Sequence, residues 1–313
     1  MANLPSENTI PIIDFSPYQS EDKRVALSET ICNTLRTTGF FHLVNHGVSH
    51  DLVEEVFQKS RDFFNMPLEY KMGYLRPQGS VSLTGYNKID QERLDPAVKM
   101  EVREAFDFIP TQVPHIERPP GFIDTLVKLD LASRDLALKV LHCFAIGLGL
   151  PDEHYFTKAH QAVAHPELES DSGNLFRTLY YPPFTPSQID SGIVRCGTHS
   201  DYGSITLLFQ DDVGGLEVES SVKGVFVPVT PVPTAVLINI GDLMARWTDD
   251  EFRSTRHRVL LNDPQRFTKA RQSIPIFINP DGHTVIASLN GKSPKYPPIL
   301  TRDYIMQRYA ETY

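Results

Sequence analysis

The sequence predicts a mainly β chain with α, built as a double-stranded β-helix, or jelly roll, with helices packed outside the core. Two observations carry this. From Leu175 to about Leu289, short runs of β-branched and large apolar residues are separated by Pro, Gly and Asp turns, as a closed antiparallel architecture requires. Ahead of them, Pro120 to Leu150 forms the longest helical pattern in the chain. Its Leu126, Leu129, Leu136, Val140, Phe144 and Leu148 fall on or near one stripe, suited to packing on the outside of a barrel, and Gly149 and Pro151 stop it.

The other elements follow in order. Residues 1–100 read as a mixed α/β cap, integral to a single-domain fold with residues 101–313. Ile10 to Asp14 is a short strand. A helix over Asp22 to Thr37 places Val25, Leu27, Ile31 and Leu35 near helical spacing and ends at Gly39. A strand, Phe40 to Val44, comes next, and Asp51 is the candidate cap of a second helix that runs through Phe64 and closes at Pro67. The polar stretch 73–95 reads as a long loop, a candidate lid for a barrel mouth. Arg302 to Tyr313 is a final helix. His42, His46 and His50 recur every fourth residue, but Gly47 and the aromatic and β-branched neighbours assign them to strand and turn rather than to a helical metal face.

At 313 residues the chain is within the range of a single barrel unit. A formal net charge of −9 argues against nucleic acid as the partner, because phosphate binding requires a basic face. Cys32, Cys143 and Cys196 are too few for a disulfide framework and fit a reducing compartment. Met1 to Asn8 lacks the basic start and apolar core of a secretory signal, and no apolar run is long enough to span a bilayer. The expectation is a cytoplasmic protein with no membrane partner.

The chemistry is concentrated in Gly197-Thr198-His199-Ser200-Asp201. Successive side chains of a strand point to opposite faces, so His199 and Asp201 project the same way, and one strand supplies two metal ligands. His257 lies in Ser254 to Leu261, another β-leaning run that can return antiparallel to the first. Two imidazoles and one carboxylate on one side of a metal form the facial triad of non-haem Fe(II) oxygenases. Arg271 and Ser273 also share a strand face, continued by the apolar Ile274 to Ile278. An arginine facing a barrel interior needs an anion, and a guanidinium beside a hydroxyl is suited to gripping a carboxylate. An acid of the chain itself is the competing partner.

These residues, with Ile10-Pro11-Ile12-Ile13-Asp14-Phe15, Thr38-Gly39-Phe40-Phe41-His42-Leu43-Val44-Asn45-His46-Gly47, Tyr180-Tyr181-Pro182-Pro183 and Leu237-Ile238-Asn239-Ile240-Gly241-Asp242, carry a resemblance. Over nearly its whole length the chain resembles the isopenicillin N synthase-like branch of the Fe(II)/2-oxoglutarate-dependent dioxygenases. Within that branch it is most similar to fungal members of the thymine 7-hydroxylase type. The resemblance implies Fe(II) held by His199, Asp201 and His257, with 2-oxoglutarate and O2 as co-substrates and ascorbate as an accessory reductant. It implies that Arg271, Ser273 and Tyr181 bind the co-substrate. Tyr202 and Phe277 correspond to aromatic residues that enclose a flat small-molecule substrate. Asn239, in a strand between the two metal-ligand segments, is read either as a group that orients a ligand or as the cap of a turn before Gly241-Asp242. Arg177 shares a strand face with Leu179 and Tyr181 and is read either as a substrate contact or as half of a salt bridge. Leu179 stands where many relatives carry Asn. The implied reaction is hydroxylation, desaturation or cyclisation of a small organic molecule. Two alternatives stay open: an iron oxidase of the same scaffold that dispenses with 2-oxoglutarate, and a non-catalytic ligand-binding homologue.

Overall fold

The computed structural model describes residues 9–77, 83–112, 114–168, 172–184, 192–261, 264–291 and 294–312. In chain order its strands are Ile12–Asp14 (β1), Phe40–Val44 (β2), Gly85–Asn87 (β3), Met100–Glu101 (β4), Glu104–Phe108 (β5), Leu175–Tyr181 (β6), Ile193–Val194 (β7), Cys196–His199 (β8), Ile205–Gln210 (β9), Leu216–Glu219 (β10), Phe226–Pro228 (β11), Val236–Ile240 (β12), His257–Val259 (β13), Arg271–Ile278 (β14), Val285–Ile286 (β15) and Ile299–Leu300 (β16).

Eight strands form one sheet in the order β1-β2-β12-β9-β14-β6-β5-β3, and β11-β10-β13-β8 form a second. Within both sheets only the β1–β2 pair is parallel. The large sheet sorts its side chains by the two-residue period of a strand. On β14, Ile274, Ile276 and Ile278 enter the helix-covered core, while Arg271, Ser273, Pro275 and Phe277 face a cavity between the sheets. On β9, Ile205, Leu207 and Phe209 face the helices, and Thr206 and Leu208 face the cavity. The inner faces of both sheets meet in a second cluster that includes Phe40, Leu179, Tyr181, Leu216, Val218 and Val259. This is the expected β core with helices outside.

The helix Phe122–Gly147 and the helix Glu21–Thr37 cover the outer face of the large sheet. They approach so closely that a Cβ on Gly147 would lie 2.5 Å from the Ser28 carbonyl oxygen, a contact only glycine permits. The second helix is His50–Phe64, and Ser49 caps it by accepting from the Leu52 amide; Asp51, the expected cap, lies in its first turn. The stretch 73–95 is not all loop. It contributes β3 to the edge of the large sheet, with Tyr86 buried and Asn87 Nδ2 donating to Asp107 Oδ2 at 2.9 Å. A three-residue strand carries no periodicity of its own, and its pairing is set by β5. Strands β1, β2 and β3 thus lie in the same sheet as the core. The last helix is Thr301–Thr312. No helix among the described residues is long and apolar enough to cross a membrane.

Candidate active site

His199 is the last residue of β8 and His257 the first of β13, and the antiparallel register sets them opposite each other. Their rings lie 4.2 Å apart between centres, inclined by 54°. Asp201 lies two residues beyond the end of β8 rather than within it as expected. Its turn is pinned from outside, because Asp242 N donates to the Asp201 carbonyl (2.8 Å) and Leu243 N to that of Tyr202 (3.1 Å). Gly203 closes the turn against Ile278 and Asn279, where a Cβ has no room. Asp201 Oδ1 ends 3.9 Å from His199 Nε2 and 3.8 Å from His257 Nε2.

The surrounding atoms orient all three groups. His199 Nδ1 faces the Gly197 carbonyl at 2.9 Å and His257 Nδ1 the Thr255 carbonyl at 3.2 Å. A proton on each Nδ1 donates there and leaves the Nε2 lone pairs directed at the centre, as a metal requires. Asn239 Nδ2 donates to Asp201 Oδ2 at 2.7 Å, so Oδ1 is the oxygen that faces both imidazoles. Burial opposes ionisation of Asp201, but His257, His199 and hydrogen bonds from Asn239 and Thr206 hold its carboxyl below the usual range. Burial, reinforced by His199, brings His257 down to about 4, so it is neutral at pH 7. Neutral imidazoles and a charged carboxylate are the donor set that a divalent ion binds.

Beside this centre, Arg271, 1 % exposed, reaches Ser273 Oγ (3.2 Å) and Gln210 Oε1 (3.3 Å), while its Nε has no hydrogen-bond partner. Its guanidinium carbon lies 4.9 Å from the centre of the Tyr181 ring. Arg195, also 1 % exposed, stands 6.0 Å from the same ring, with Nη2 on the Lys269 carbonyl and Nε unpartnered. Burial and the nearby Arg271 lower Arg195 to about 10. Among the described residues no carboxylate is within ion-pair distance of either cation. Arg271, a buried charge without an acid that faces the cavity, is placed to hold an anion, and Arg195 adds to the positive field behind it. Arg195 was not legible in the sequence, because it belongs to neither the Arg-x-Ser pair nor the metal strand.

On the other side of the metal centre, Arg177 is held by Glu92 (2.8 and 2.9 Å) and Asp107 (2.6 and 2.7 Å) while also lining the cavity. The salt-bridge reading of Arg177 is therefore realised. Arg76 and Arg103 join the same buried network, and Arg103 pairs with Glu101. Glu101 in turn accepts the amides of Leu94 (2.8 Å) and Asp95 (3.0 Å), seating Leu94 at the cavity wall. Tyr202 and Phe277 line the adjoining cleft beside His199, with Ile305 and Tyr309 of the last helix closing it. Trp247 is buried among Phe156, Tyr155 and His160, outside the site. Cys196 is buried, with its sulfur 3.9 Å from His199 Nδ1, the nitrogen turned away from the centre.

A jelly roll with this trio at one end of its cavity defines a metal-dependent oxygenase. The chain belongs to the 2OG-Fe(II) oxygenase superfamily, matched over residues 172–280, and residues 10–121 match the N-terminal region of non-haem dioxygenases described for morphine synthesis. It is 31% identical to the 2-oxoglutarate-dependent dioxygenase frbA of Dothideomycetidae sp., with 97% of each chain covered. The structure of the full-length Neurospora crassa thymine 7-hydroxylase in complex with alpha-KG and thymine superposes with a TM-score of 0.86, at 31% identity over 99% of both chains. JOX2 in complex with 2OG, Fe and JA superposes with a TM-score of 0.78, at 25% identity over 98% of this chain and 90% of that one. The protein is an Fe(II)- and 2-oxoglutarate-dependent dioxygenase, and of the readings left open by the motif it is the one with the co-substrate that holds.

Proposed function

We propose that His199, Asp201 and His257 hold Fe(II), that Arg271, Ser273 and Tyr181 hold the distal carboxylate of 2-oxoglutarate, and that Tyr202, Phe277 and Arg177 border a small organic substrate of specialised metabolism. The observation that carries this reading is the adjacency of two unmet needs: a trio of inward donors and a buried arginine without an acid. Fe(II), when bound, supplies the activation of O2 that couples decarboxylation of the keto acid to oxidation of a C–H bond. The chain does the rest. Asn239 fixes which oxygen of Asp201 faces the centre, and Arg271 selects a ligand with a second carboxylate, since a monoanionic keto acid would leave the guanidinium unpaired. Tyr202, Phe277 and Leu94 present apolar surface that excludes water from the reacting carbon. Relatives named for a proline hydroxylase and for coumaroyl and feruloyl CoA ortho-hydroxylases support a small-molecule substrate without fixing its identity. The three cysteines are buried and unpaired, which supports a reducing, cytoplasmic setting.

The test is anaerobic addition of 2-oxoglutarate to the Fe(II)-loaded protein. The expected result is the visible charge-transfer band of a chelated keto acid, abolished at the same co-substrate concentration in Arg271→Ala. A band that persists unchanged in Arg271→Ala removes Arg271 from the co-substrate site, and absence of iron binding removes the trio.

A further inference from the structure

We propose that His142, Glu153 and His154 form a second metal site, selective for a zinc-class divalent ion, on the surface formed by the end of the helix Phe122–Gly147 and the loop that follows it. The chain turns back after the helix through Gly149, whose φ of +66° is a left-handed conformation natural to glycine, and Leu150 N closes the turn on the Ala145 carbonyl at 3.0 Å. Glu153 and His154 are thereby returned alongside His142.

Three features mark the cluster as a site. His142 Nε2 is 3.6 Å from Glu153 Oε2, and His154 Nε2 is 3.6 Å from Glu153 Oε1; the three candidate ligand atoms all lie within 4.8 Å of one another. Tetrahedral zinc with bonds of about 2.0–2.1 Å holds its donors roughly 3.3 Å apart, so the site closes when His154, now stacked on His142 with ring centres 4.9 Å apart, turns its ring toward the carboxylate. Glu153 and His154 are over half exposed and free to turn. Second, His142 is 7 % exposed and its Nε2 has no hydrogen-bond partner. A buried nitrogen that faces a carboxylate 3.6 Å away, short of a hydrogen bond, is what a metal ligand looks like without its ion. Third, the far nitrogen is already braced: the Tyr18 hydroxyl lies 3.1 Å from His142 Nδ1. With the Nδ1 proton donated to Tyr18, the Nε2 lone pair faces the carboxylate, the arrangement that supports a metal-bound imidazole. Two imidazoles and one carboxylate, with water in the open position, suit Zn2+ better than the hard cations Ca2+ or Mg2+.

Calorimetric titration of Zn2+ into the metal-free protein tests this. Two equivalents are expected to bind at micromolar concentration, one lost in Asp201→Ala and the other in His154→Ala or Glu153→Gln. Tyr18→Phe should keep the second equivalent but weaken it about 10- to 100-fold. His154 is exposed, so its loss leaves the fold intact, which unchanged 2-oxoglutarate turnover by the iron-loaded His154→Ala variant confirms. One equivalent in the wild type, or two persisting in both His154→Ala and Glu153→Gln, overturns the proposal.

Discussion

Arg271 and Tyr181 face each other across the antiparallel β14–β6 ladder, with the guanidinium carbon 4.9 Å from the ring centre. The ring and the Ser273 hydroxyl fix a cation that has no acid of its own. Replacing Arg271 by Ala removes a charge-assisted contact of about 1.5–3 kcal/mol, so the 2-oxoglutarate dissociation constant should rise roughly 10- to 150-fold while Fe(II) affinity is unchanged. Arg195→Gln should move the same constant in the same direction by less, since it adds field without touching the cavity. A spectroscopic titration reads both, and equal effects of the two variants would contradict the division of roles.

Asn239→Ala frees Asp201 Oδ2 and lets the carboxylate rotate. Loss of such an orienting bond typically costs 10- to 100-fold in metal affinity, so Fe(II) binding should weaken by about that factor with the melting temperature of the metal-free protein little changed. Unaltered iron affinity would make Asn239 a packing residue only.

The candidate trio was legible because its chemistry sits in a short motif and an antiparallel return sets His257 opposite His199. Strand alternation placed Arg271, Ser273 and Phe277 on one face of β14 and Tyr181 on one face of β6, and those faces line the cavity. What the sequence hid was partnership across distance. Glu92 lies in a stretch that reads as polar loop, yet it is buried among Arg76, Arg103 and Arg177, because a loop's burial depends on what the fold lays over it. Ser49 displaced Asp51 as a helix cap because hydrogen-bond geometry, one or two positions along, chooses between adjacent polar residues. Asp201 leaves the strand because the chain 241–243 captures its turn, and no local pattern announces that contact.

Glu92→Ala should destabilise the fold by about 3–5 kcal/mol, since it leaves buried guanidinium groups short of a carboxylate. Urea denaturation measures this. Glu92→Gln, which keeps the volume and a hydrogen-bond acceptor, should cost less.

Stability should fall on acidification through a defined window. Burial brings His160 and His42 each down to about 4, against 6.5 in the unfolded chain. Above pH 6.5 both states are neutral at these residues, and stability is insensitive to them. Below pH 6.5 the unfolded chain takes up protons that the folded one refuses, so stability declines until about pH 4, by up to roughly 3 kcal/mol per histidine. His160 holds the Phe156 carbonyl and the Ser204 hydroxyl, at 2.6 and 2.8 Å. His160→Gln should flatten part of the acid limb in urea midpoints measured from pH 7 to 4; an unchanged slope would mean that His160 takes up its proton in the folded state as well.

Phe40 gives the N-terminal region a stake in the iron chemistry. It pairs in register with Asn239 across β2 and β12, and its ring meets His257 edge-on with centres 5.5 Å apart. Exchanging the first forty-odd residues between relatives would therefore do more than swap a cover. It would rebuild one wall of the reaction chamber and reset the strand that steers the metal's carboxylate, so chimaeras joined after β2 should differ in iron affinity even when every ligand is the same.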